Sequence, residues 1–166
     1  DSTQSPVDPG SPQIIDFINN GGQRQLQPDW GPAPYGIPYC TVAGDQPLVN
    51  VAFDYADESD PGAPGRLAGY SIPEEAKIQP GWIEGNIAGG GTTGDRHMLI
   101  IDRDHRVLFE LFALRWNGDS GLWQAGSGAV WPIDSNLRRP DGWTSADAAG
   151  LAILPGLVRY DEVYGD

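Results

Sequence analysis

The apolar runs of this chain are all strand-length. "PYCTVA", "LVNVAFDYA", "HMLIID", "VLFELFALRW", "LWQAGSGAVWPI" and "GLVRYDEVYG" are short and rich in aromatic and branched residues. Turn signals such as Asp60-Pro61-Gly62, Gly89-Gly90-Gly91 and Asn117-Gly118-Asp119 bound them. None approaches the roughly 20 apolar residues that a membrane-spanning helix needs, so membrane insertion is not expected. Glycine (23) and proline (15) leave little room for long helices. The expected fold is therefore mainly β, an antiparallel β-sandwich or distorted barrel with long loops and one or two short helices.

The best helix signal is "SPQIIDFINNGG", with Ser11 as N-cap, Pro12 in the first turn and Gly21 just past the end. A second short helix is expected from Thr144 or Ser145 in "TSADAAG", stopped by Gly150. The chain divides into a Pro/Gly-rich N-terminal segment, residues 1–34, and a β domain, residues 35–166. Residues 57–95 are long, turn-rich and acidic, and are expected to lie over one end of the sheets.

Charge narrows the partners. The net charge is −13, and Arg138-Arg139 is the only basic pair. Nucleic-acid binding needs Lys and Arg gathered on one face, so nucleic acid and anionic membranes are excluded as expected partners. Cys40 is the single cysteine. It reads as a small buried hydrophobe, or else as a bond to a second chain or to a further part of this one.

"GDRHMLIIDRDHRVLFELFALRW" places one acid, Glu110, inside the most apolar run. A carboxylate there must be paired, protonated or facing water. If Asp104-His105 turns the hairpin, Ile101 lies opposite Leu108, Leu99 opposite Glu110 and His97 opposite Phe112. His97 and Glu110 then share a face, and such a pair can be tuned for proton transfer near neutral pH. The plainer role is a core acid bonded to backbone. His105, at the turn tip, reads as a solvated loop residue.

Other residues carry weaker signals. Asp54, Asp57, Glu58 and Asp60 crowd "DYADESDPG", which fits a solvated acidic loop or a calcium site; the spacing lacks the EF-hand glycine and distal glutamate. No cofactor is expected otherwise. The glycine run 89–94 is not a P-loop, because no Gly-Lys-Ser/Thr follows it. Trp143, Ser145 and Asp147 are candidates for a polar pocket wall, with a turn and a helix cap as the structural alternative. Of the six tryptophans, Trp82 and Trp143 lie in loops and are the candidates for a sugar platform.

"WQAGSGAVWPIDSN" and "RRPDGWTSADAAGLAILPGLVRYDEV", with the hairpin above, resemble a family of secreted bacterial proteins of unassigned activity. Some of its members are joined to carbohydrate-binding modules. The resemblance covers roughly residues 35–164. It implies a secreted, mainly β protein that acts on or binds polysaccharide. Family sequences usually continue past the "VRYDEV" match, so the chain is expected to be a processed, partial or shortened member. Its uncovered sheet edge is then a route to a second chain or to self-assembly.

Two functions follow as expectations. In the first, the protein is a glycan-cleaving enzyme with Glu110 as proton donor or base, His97 tuning it, and Asp147 or Asp102 as the second acid. In the second, it is a non-catalytic carbohydrate-binding or extracellular structural domain. A peptidase with paired carboxylates is a third reading. Cleavage requires Glu110 in an open cleft, whereas binding alone fits a fully buried Glu110.

Overall fold

The structure, a computed structural model, describes residues 6–23, 36–158 and 162. The chain forms two compact units, Asp1–Trp30 and Gly31–Asp166. Among its described residues the first has one α-helix, α1 (Ser11–Asn19). Ser11 is its first helical residue and not its cap; Gly10 takes the cap position, and its N–H is held by the Asp8 carboxylate at 2.7 Å. Asn20 ends the helix in the left-handed conformation, which asparagine tolerates.

The second unit is mainly β and sandwich-like, with no closed barrel. Its strands are β1 (Tyr39–Val42), β2 (Val51–Phe53), β3 (Met98–Asp102), β4 (Val107–Phe112), β5 (Arg115–Asn117), β6 (Leu122–Ala125) and β7 (Ser127–Pro132). They form a four-stranded sheet, β1-β3-β4-β7, and a three-stranded sheet, β2-β6-β5. The pairs β3-β4 and β5-β6 are antiparallel, as expected for segments joined by short turns, and β4-β7 is antiparallel across the intervening β5-β6 hairpin. The pairs β1-β3 and β2-β6 are parallel, because long crossovers separate their partners in the chain. Both sheets are therefore mixed.

The hairpin register agrees with the alternation read from its sequence: Leu99 pairs with Glu110 and Ile101 with Leu108. Residues 103–106 make the turn, with Arg106 at φ 55°. One face of the hairpin, Met98, Ile100, Val107, Phe109 and Leu111, packs in one core with Trp123 and Ala125 of β6. Each fully buried Leu or Phe side chain there contributes about 2 kcal/mol.

The long segment 57–95 does more than lie over a sheet end. Tyr70, Ile72, Ala76 and Ile83 project from it into that core between its glycine and proline turns. Tyr70 comes so close to β7 that Gly128 has no room for a side chain. A Cβ there would sit 2.4 Å from the Tyr70 hydroxyl and 2.7 Å from the Phe53 ring. Cys40 is half-buried on β1, and burial pushes its thiol up to about 11, which keeps it unreactive. No helix among the described residues is long and apolar enough to cross a membrane.

Candidate functional site

Strand alternation decides which residues reach the outer face of the four-stranded sheet. The rows Leu99-Glu110-Ala129 and Ile101-Leu108-Trp131 lie across it, with Phe112 opposite Ser127 at the next position. Leu99, Leu108 and Ala129 are buried there, outside the main core cluster. Residues from the loop 143–154 return onto this face. Ser127 Oγ donates to the Ser145 carbonyl at 2.7 Å.

Glu110 is fully buried. Its carboxylate accepts the main-chain N–H of Ile153 at 3.0 Å and of Leu154 at 2.9 Å. It also accepts the Trp131 indole N–H at 3.1 Å. Burial pushes this carboxyl above the ordinary glutamate range, while those donors and the His97 charge pull the other way. The acid is neither solvent-facing nor open to a ligand in this state. It fastens a loop and orients an indole, which corrects its expected role as an open proton donor.

His97 is 9% exposed, and its ring lies against Phe112 with centroids 5.6 Å apart, as the register demands. Its Nδ1 is 2.7 Å from the Glu84 carboxylate and its Nε2 is 3.1 Å from the Ala146 carbonyl. Both oxygens only accept, so both nitrogens donate and the ring is an imidazolium. Burial opposes that charge, but the Glu84 hydrogen bond and charge, the Ala146 carbonyl and Asp95 outweigh it, so its pKa is raised. Burial likewise opposes ionisation of Glu84. The His97 ring and main-chain N–H bonds, with the His97 charge, win and hold the carboxyl low.

These shifts set a pH dependence. His97 contributes stability that is complete below its unfolded value of 6.5 and lost as pH rises through the higher folded value. Glu110, also raised, runs the same way. Glu84 contributes stability present above 4.5 and lost as pH falls through its lower folded value. The urea midpoint should therefore drop as the pH rises above 6.5 through the folded-state value of His97, and Glu84→Gln should remove most of the His97 part of that drop. Equal drops in both proteins would mean that the ion pair contributes nothing.

A second cluster closes the rim of this face. Arg139, with a side chain only 5% exposed, bonds to the Asp60 carboxylate, the Glu58 carbonyl and the Thr144 carbonyl, the last at 2.8 Å. Its guanidinium lies 5.8 Å from the Trp131 ring and 5.3 Å from the Trp143 ring, so one cation serves two indoles. Glu58 accepts the Thr144 N–H and hydroxyl at 3.0 and 2.6 Å, and those bonds lower its pKa. Asp60 also accepts the Val130 N–H at 2.9 Å, which ties this loop to the edge of β7.

The remaining candidates have other duties. Asp102 lies on the opposite face from Glu110, one residue out of phase, and cannot be its catalytic partner. Burial opposes its charge, but the His105 main chain and ring and Arg66 lower its pKa. His105 is thus fixed by Asp102 through Nδ1 at 2.8 Å. No helix forms at 144–150. Asp147 instead closes a turn on the Ala149 N–H, and Ser145, almost fully buried, donates to the Leu151 carbonyl at 2.6 Å. Trp82 is half-buried and packs on the core, away from a platform role.

The acidic loop is divided among separate partners. Asp54 faces Arg115, Glu58 holds Thr144, Asp60 holds Arg139, and Asp57 is exposed. Among the described residues no group of three or more such side chains is arranged to hold a metal ion. Glu84 and Arg139 are the functional neighbours that sequence reading missed. Nothing in the spacing links Glu84 to His97, whereas Arg139 between Trp131 and Trp143 in the chain was a visible cue. Comparison of the chain with protein families, with curated proteins and with solved structures finds no match.

Proposed function

We propose that this protein is a secreted, non-catalytic carbohydrate-binding domain. The observation that carries the reading is the pair of half-buried indoles, Trp131 and Trp143, held on either side of Arg139 at the rim of the four-stranded sheet. Aromatic faces stack on the apolar faces of sugar rings, and a pre-ordered pair loses little freedom on binding. Glu110 orients Trp131 through its indole N–H, and Glu58 fixes the residue after Trp143. Asp102, on the opposite face of the hairpin, cannot supply the second acid that glycosidic cleavage needs, which supports binding over cleavage. A net charge of −13 repels polyanions, so the ligand class is a neutral polysaccharide. The likeness to secreted proteins joined to carbohydrate-binding modules points the same way.

The test is retention on a panel of neutral and acidic polysaccharides, followed by calorimetry on the best ligand. Trp143→Ala should weaken binding at least about tenfold, which is the loss of about 1.4 kcal/mol of contact, with an unchanged circular dichroism spectrum. A native protein that no polysaccharide retains, or full affinity in both Trp131→Ala and Trp143→Ala, would remove this reading.

A further inference from the structure

We propose that residues 145–154 are a lid that lifts as one body from the outer face of the four-stranded sheet and uncovers Glu110 and His97 together. Three observations carry this. First, the segment is braced internally. Ser145 Oγ reaches the Leu151 carbonyl at 2.6 Å and accepts the Asp147 N–H at 2.9 Å. Asp147 accepts the N–H groups of Ala149 and Gly150 at 2.9 and 3.1 Å.

Second, it is fastened to the sheet by polar clasps over a small apolar patch, Leu99, Leu108 and Ala129, and not by the main core. Only Ser145 and Ala146 of the segment are buried, and none of its residues belongs to the main hydrophobic cluster. The clasps are Glu110 on the Ile153 and Leu154 N–H groups, His97 on the Ala146 carbonyl and Ser127 on the Ser145 carbonyl. A segment that shares only these few hydrogen bonds and a small apolar patch with the rest of the chain opens below the global unfolding free energy. Third, the residue before it is pinned: Thr144 is gripped by Glu58 and Arg139, which makes the junction at Thr144 a fixed end for the motion.

The surface beneath is an apolar trough of Leu99, Leu108 and Ala129 with Trp131 at its edge. Once bared, it presents an acceptor, the Glu110 carboxylate, beside a donor, the His97 Nε2–H. The lid satisfies the first with N–H groups and the second with a carbonyl. Sugar hydroxyls both donate and accept, so a neutral glycan replaces both kinds of clasp. This assignment of the occupant rests on the carbohydrate reading above; the lid itself does not.

Hydrogen exchange on the full chain tests the lid without any ligand. The Ile153 and Leu154 amides should exchange at least about 100-fold faster than those of Phe109 and Leu111, because they are released by lifting and not by global unfolding. Glu110→Gln lowers lid closure and global stability together, so it should speed both pairs at least about tenfold and keep the gap between them; Ser127→Ala, which removes one clasp and no charge, should act in the same direction. Exchange of Ile153 and Leu154 at the rate of the β4 amides, in the native protein and in Ser127→Ala, overturns the lid. Fast exchange together with no retention on any polysaccharide overturns the occupant alone.

Discussion

Arg139→Ala is expected to cost about 3 kcal/mol of stability, a drop of roughly 9 °C in the melting temperature for a chain of this size. The guanidinium is buried and bonds to three separate oxygens, on Asp60, Glu58 and Thr144. Its removal strands the Asp60 carboxylate against the β7 edge and leaves two carbonyls without their donor. Asp60 keeps 30% exposure, so water recovers part of the loss and holds it below the upper end for buried pairs. Trp131 and Trp143 also lose the cation between them. Arg139→Lys should recover less than half, since an ammonium cannot make the same fork of bonds. Differential scanning calorimetry reads the effect, and a loss under about 1 kcal/mol would mean that the loops 54–60 and 138–151 are held by something else.

Glu110→Gln is expected to cost about 2 kcal/mol although the two side chains have the same shape. Every group around the carboxylate is a donor: the N–H of Ile153, the N–H of Leu154 and the indole N–H of Trp131. An amide keeps one acceptor oxygen and turns an NH₂ toward the remaining donors, which leaves at least one buried N–H unpaired. Urea unfolding at neutral pH measures the cost. Equal midpoints for the two proteins would show that the acid is already protonated and held as a neutral group. In that case the same substitution would also leave the Trp131 fluorescence unchanged.

The hairpin was the most legible part of the chain. Its turn residues and period-two alternation sufficed to set Leu99 against Glu110 and to bring His97 beside Phe112, and both relations hold. Alternation should equally have excluded Asp102 as a partner for Glu110, since the two positions differ in parity along a paired hairpin. The role of Glu110 was not legible, because its partners are main-chain N–H groups more than forty positions away. Backbone donors leave no mark in a sequence. Glu84 was hidden for a related reason: it reaches His97 from an irregular loop without any period. "TSADAAG" read as a helix start because serine and aspartate favour caps, but the same side chains close turns on their own backbone.

The parallel pairs impose an order of events on the making of this protein. Tyr39–Val42 leaves the ribosome long before its partner Met98–Asp102, and Val51–Phe53 waits longer still for Leu122–Ala125. Neither sheet can be completed from its N-terminal strand onward. The β3-β4 hairpin, built from neighbours in the chain, is the natural nucleus. Until it forms, the two early strands are unpaired, apolar segments, and the glycines, prolines and acids between them are what keeps a nascent chain from joining the wrong edge.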